Sequence, residues 1–179
     1  MRKASAATFV TILAISLYFT CVWGFDGLQA LTSPNYGLDE VWRSQTVFGI
    51  GSLVGLGPLG LIKLAAFLGA VKLLAAVFCG LHILKRLRVL AGGEPDTEIL
   101  EGALILVVAV SIVSAIPATW SYNAELVGEQ AINLVLAAIA TALCIAERRR
   151  AHAAETDEIA VAAADAALPR GVTWFSPWR

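Results

Sequence analysis

Apolar residues arrive in long blocks, and the charged residues gather between the blocks. The first block covers residues 6–24 behind a basic Met-Arg-Lys start. A secretory leader opens in the same way, with a short positive region and then an apolar core. This block is long, holds Trp23 near its end and is followed by no convincing small-x-small cleavage site, so it is read as a retained transmembrane helix.

The second apolar region, 46–84, is too long for one helix and short for two with a turn. Its first third, TVFGIGSLVGLGPLG, carries five glycines and Pro58, residues that break helices. The second span is therefore placed at 59–84. Residues 38–57 are expected to form an interfacial or re-entrant segment, with Leu38, Val41, Trp42 and Phe48 at the membrane surface. The third and fourth spans are expected at 99–120 and 125–146. Each has enough residues to cross a hydrocarbon core of about 30 Å at about 1.5 Å per residue.

Charge placement sets the expected orientation. The clusters KRLR (85–88) and ERRR (147–150) follow spans two and four, and the basic start precedes span one. The other connections hold Asp26, Asp39, Glu40, Glu125 and Glu129 against a single Arg43. Four spans with both termini cytoplasmic put every basic cluster on one side, as the positive-inside tendency requires. A fifth span at 46–58 would separate KRLR and ERRR from the N-terminal cluster. Trp23, Trp42, Trp120 and Tyr122 then make an aromatic belt on the outer side. The expected fold is an all-α integral membrane protein with a four-helix transmembrane domain over 1–150 and a cytoplasmic tail over 151–179. Small four-span membrane proteins of the DoxX-like kind share the helix count and a polar residue in span two, although no motif assigns the chain to that family.

Composition narrows the function classes. Of 179 residues, 58% are hydrophobic and 15% charged, and net charge is −1, which leaves no basic field for nucleic acid. Dinucleotide, P-loop, HExxH and GxSxG signatures are absent. Cys21, Cys79 and Cys144 all fall inside apolar blocks at wide spacing, which is no disulfide framework. His82 is the only histidine in or beside a span, since His152 lies in the tail, so a haem held by two histidines on two helices of one chain is excluded.

One position stands out. Lys72 sits at the centre of LAAFLGAVKLLAAVF (64–78). A turn of about 100° per residue places Ala65, Leu68, Gly69, Ala76 and Cys79 on its side, with Phe67, Leu74, Phe78 and Leu81 opposite. Small residues mark close helix contacts in membranes and bulky ones meet lipid, so Lys72 is expected to point into the bundle. Lys63 falls on the opposite face near the outer end, where it can snorkel to the headgroups. The same projection gathers Glu129, Gln130, Asn133, Ala137, Ala140 and Cys144 on span four, and Ser111, Ser114, Ala115 and Ala118 on span three. Counting inward puts Lys72, Asn133, Ser111 and Ser16 in one polar layer roughly 12–15 Å deep, with Glu129 about two turns above it. Pro117 is expected to kink span three and free the Val113 carbonyl.

An unpaired lysine at the membrane centre costs at least about 2.5–3.5 kcal/mol. Lys72 is therefore expected either to bind an anionic or polar group, to change protonation, or to staple the helices. A weaker grouping at the helix ends, Cys79, His82, Cys144 and Glu147, offers ligand types that suit zinc or copper. Its spacing matches no established motif, so neither a metal nor any other cofactor is expected. Trp174, Phe175 and Trp178, set among Arg170 and Arg179, suit a membrane interface or a partner surface. The leading expectation is a non-catalytic accessory or assembly subunit of a larger membrane complex. The alternative is a small oligomeric transporter or channel with its site around Lys72. Expected partners are the bilayer and other membrane subunits or further copies of the chain, without nucleic acid. Alanine-rich composition and the absence of eukaryotic targeting signals place it in a bacterial inner membrane, multi-pass.

Overall fold

A computed structural model describes residues 3–34, 36, 38, 41–90, 98–120 and 124–167. They form five helices: α1 (Lys3–Thr32), α2 (Val41–Val54), α3 (Pro58–Leu90), α4 (Glu98–Trp120) and α5 (Ala124–Ala167). Four of these contain stretches long and apolar enough to cross a membrane: Ala7–Thr32, Pro58–Arg88, Ile99–Thr119 and Ala124–Arg150. The chain divides into two compact units, Met1–Leu143 and Cys144–Arg179. In the second, α5 continues to Ala167 with Arg148, Arg149 and Arg150 exposed, and the Thr156 hydroxyl donates to the His152 carbonyl at 2.9 Å. Trp174, Phe175 and Trp178 lie outside the described residues, as do Tyr122 and the side chains of Trp42 and Trp120.

The first unit is organised by an antiparallel pair, α1 against α3. A Cβ on Gly80 would meet Thr20, one on Gly24 would meet Ala76, and one on Gly27 would meet the Gly69 carbonyl and the Leu73 amide. Near the N-terminal end of α1, the Arg86 guanidinium lies 5.4 Å from the Phe9 ring centroid. The start of α1 and the basic end of α3 therefore share one end of the pair. Buried positions on α1 fall at Ile12, Ile15, Ser16, Phe19, Trp23 and Ala30, and those on α3 at Ala65, Ala76, Cys79, His82 and Arg86. Spacings of three and four are those of helices that cross at a shallow angle. Lys72 occupies this seam. The opposite face of α3 points outward with Phe67, Leu74 and Leu81 exposed, and Lys63 is exposed as well.

Beyond the longer C-terminal ends of α3 and α5, two departures from the expected spans bear on the site. The first span was expected to stop at residue 24, with Asp26 in a connection, whereas α1 runs on to Thr32 and carries Asp26 inside the helix. The extension continues the seam through Gly27 and Ala30, and the carboxylate has a partner within the bundle. The helix therefore has no cause to end at the first acidic residue.

The other concerns residues 46–54, which were expected to be broken by glycine. Instead α2 passes through Gly49 and Gly51 without interruption. A Cβ on Gly49 would overlap the Pro117 ring of α4, and one on Gly51 would press on the end of the Leu61 side chain. Here glycine permits close approach, which outweighs its low helix propensity. The break comes later. Gly55 takes a left-handed φ of 70°, and the Leu56 amide donates to the Gly51 carbonyl at 2.8 Å, closing α2 with a Schellman cap. Pro58 then opens α3 where its missing N–H costs nothing. Replacing Gly49 by alanine is expected to push α2 off Pro117. Hydrogen exchange should show faster amide exchange across α2, with α1 and α3 unchanged.

Candidate functional site

Asp26 and Lys72 meet because the α1–α3 register puts them side by side. Lys72 Nζ donates to Asp26 Oδ2 at 2.5 Å, with 19% and 13% of the two side chains exposed. Glycine is what lets the backbones come this close. Gly27 follows Asp26, Gly69 lies one turn before Lys72, and neither has room for a Cβ without backbone or Ala30 contact below 3.0 Å. Lys72 Nζ also lies 5.8 Å from the ring centroid of Trp23, one turn before Asp26. An ammonium over an indole face gains a further electrostatic contact when water is scarce. Lys72 is thus an ion-paired residue of the helix seam.

The pair borders a cleft of about 30 Å³, room for one or two waters. All five helices reach it. Polar walls come from Asp26, Thr46, Lys72, Ser114, Glu129 and Gln130. Ala30, Val47, Ala65, Leu68 and Leu126 close it with apolar surface. α2 supplies Thr46 and Val47, so the short helix covers one side of the cleft. Formally the wall carries two carboxylates and one ammonium. The ammonium is spent on Asp26. Among the described residues, no cation lies within ion-pair distance of Glu129.

The polar layer read from the sequence becomes two levels. Lys72 and Glu129 line the cleft, while Asn133, Ser111 and Ser16 are buried but do not line it. Ser16 lies ten residues before Asp26 on α1, a separation of about 15 Å along the axis. Depth counting from separate helix ends missed this because α1 overruns the expected boundary by two turns. At the second level the Tyr18 hydroxyl donates to Asn133 Oδ1 at a long 3.5 Å, and Thr20 donates to the Ser16 carbonyl at 2.8 Å. The Ser16 and Ser111 hydroxyls are buried with no hydrogen-bond partner among the described residues. Neither Asn133 nor Ser111 is the partner of Lys72.

Sequence reasoning missed Asp26, Thr46, Ser114 and Gln130 as members of one site. The helical projection puts Ser114 and Gln130 on inward faces without a role. Charge placement puts Asp26 in a connection, although its spacing from Phe19 and Trp23 continues the buried stripe of α1.

At the other end of α3, Arg86 Nε donates to His82 Nε2 at 3.4 Å, and both residues are buried. Cys79 and Cys144 are buried too. Among the described residues, no three His, Cys, Asp or Glu side chains are placed to share a metal ion.

Comparison with known protein families, characterised proteins and solved structures finds no match. Functional inference accordingly starts from the cleft.

Proposed function

We propose that the chain is a small multi-pass membrane carrier whose cleft beside Asp26 and Lys72 holds a small polar solute. One observation carries this reading. Between helices long and apolar enough to span a membrane, the chain maintains an ion pair, a second carboxylate, an amide and two hydroxyls around space for guests. Ionisable groups at membrane depth are costly, and they are a default sign of a substrate or ion pathway. The pair alone would serve as a helix staple. A staple does not need Glu129, Gln130, Ser114 and Thr46 around an opening. A short helix capped by glycine over that opening suits an element that lets solute in and out.

The reading of an accessory subunit falls to second place. It rests on the small-residue faces, on the aromatic and basic tail, which lies outside the described residues, and on the lack of a complete catalytic set. The small face of α3 at Gly69 and Ala76 instead packs against α1 at Gly27 and Gly24. We further propose a bacterial inner membrane, supported by the alanine-rich composition, with both termini cytoplasmic. The shared end of the N-terminal segment of α1 and the KRLR end of α3 supports that orientation. No catalytic role is proposed.

Swelling of reconstituted liposomes in iso-osmotic sugars, amino acids and alkylammonium salts tests the carrier. The chain should accelerate entry of at least one solute, and Lys72→Met should reduce that rate about tenfold, a loss of about 1.4 kcal/mol. Folded protein that accelerates none, or unchanged rates in Lys72→Met, overturns the proposal. Recovery of stoichiometric foreign subunits from mild detergent would favour the accessory role.

A further inference from the structure

We infer that the cleft takes a small alkylammonium cation, with Glu129 as its anionic contact; this rests on reading the cleft as a solute site. The charge inventory points there first. Asp26 and Lys72 neutralise one another, which leaves the lining with one carboxylate in excess. That carboxylate is Glu129, half-buried on α5 with no cation at ion-pair distance among the described residues. A carboxylate in a narrow membrane cleft, only partly open to water, is stabilised by a cation that enters with its ligand.

The remaining walls discriminate among cations. A bare sodium ion is satisfied by about six oxygen ligands at short range. Beside Glu129, the cleft offers the Gln130 amide and the Ser114 and Thr46 hydroxyls, and Asp26 is already engaged. An ammonium with three donors is satisfied by fewer oxygens. Apolar walls at Val47, Leu68 and Leu126 leave a bare ion unsolvated on one side, but they match an alkyl group of a few carbons. The cleft volume limits length further, since space for one or two waters takes the ammonium and the start of a short chain, the rest of which lies along the apolar mouth. An anion is disfavoured by Glu129, and it would have to take Lys72 from a carboxylate already in contact.

Calorimetric titration of the purified full chain in detergent with propylammonium chloride tests this, with sodium chloride and sodium acetate at equal concentration as controls. Saturable binding is expected for propylammonium only. Glu129→Gln, nearly isosteric and on a half-exposed residue, should weaken it about tenfold or more, while Glu125→Gln, one turn away and outside the cleft, should leave it unchanged. No saturable binding, equal binding of sodium, or undiminished affinity in Glu129→Gln overturns the inference. Transport of another solute without propylammonium binding would overturn the ligand class and leave the carrier standing. Binding without any transport would do the reverse.

Discussion

Replacing Asp26 by leucine is expected to destabilise the protein more than any other single charge deletion in the bundle. The substitution removes a carboxylate and leaves the Lys72 ammonium in the α1–α3 seam without its partner. Removing one member of a buried ion pair costs about 3–5 kcal/mol, most of it the penalty for the charge left behind. The pair retains 13–19% exposure, so a value of about 2–3 kcal/mol is appropriate here. Lys72→Met is expected to cost less, because Asp26 lies six residues from the end of α1, whereas Lys72 lies mid-way along α3. Asp26→Leu combined with Lys72→Met should recover most of the loss, since a matched apolar pair in place of an ion pair is often neutral or stabilising. Reversible unfolding in mixed micelles measures all three. Additive losses in the double variant would show that the two residues do not depend on each other, and the proposed pair would fail. The same double variant separates fold from function: it should be stable and inactive in solute uptake.

How far the sequence foretold this arrangement differs from residue to residue. The helical projection of α3 found the side on which Lys72 points, because the small–bulky contrast around it is strong: Ala65, Gly69, Ala76 and Cys79 are buried, while Phe67, Leu74 and Leu81 face outward. It worked equally on α5, where Gln130, Asn133, Ala137 and Ala140 are buried. The partner of Lys72 was not legible. Asp26 follows an apolar run, and an acidic residue there reads as the first residue beyond the membrane. Only the register against α3 shows that its charge is compensated inside the bundle. Register depends on the glycines at 27 and 69, whose role is to let two backbones approach, and one helix read alone cannot reveal what a glycine is near. α2 misled for the same reason. Gly49 and Gly51 weaken a helix in isolation, yet they are what allow it to lie against Pro117 and Leu61.

These two lessons bear on function together. The sequence supplied a lone lysine and so invited an anionic ligand. The structure supplies its counter-ion, and among the described residues the lining carboxylate with no cation at ion-pair distance is Glu129, which is why the proposed solute is a cation. A site is defined by the charge that remains after internal pairs are counted.

Gly27→Ala is the second large effect, and it arises from a single methyl group. Its Cβ would lie 2.8 Å from the Gly69 carbonyl oxygen and 2.9 Å from the Leu73 amide nitrogen. Both are backbone atoms of α3, so no rotamer change relieves the contact and the helices must separate. Overpacking of this kind costs about 1–3 kcal/mol, and a membrane seam that relies on close contact lies at the upper end. Gly24→Ala, one turn earlier on the same face, meets only the Ala76 Cβ at an ordinary 3.5 Å and should be nearly neutral. Gly128→Ala on α5 meets nothing within 4 Å and should be neutral, or stabilising by about 0.5–1 kcal/mol through helix propensity. Unfolding in mixed micelles should therefore rank the three substitutions in a fixed order, with Gly27→Ala far below the others. Because the displaced segment carries Asp26, Gly27→Ala should also weaken the ion pair. Combining it with Asp26→Leu should then cost less than the sum of the two. Equal effects at positions 24 and 27 would refute the α1–α3 register, and with it the pairing on which the cleft is built.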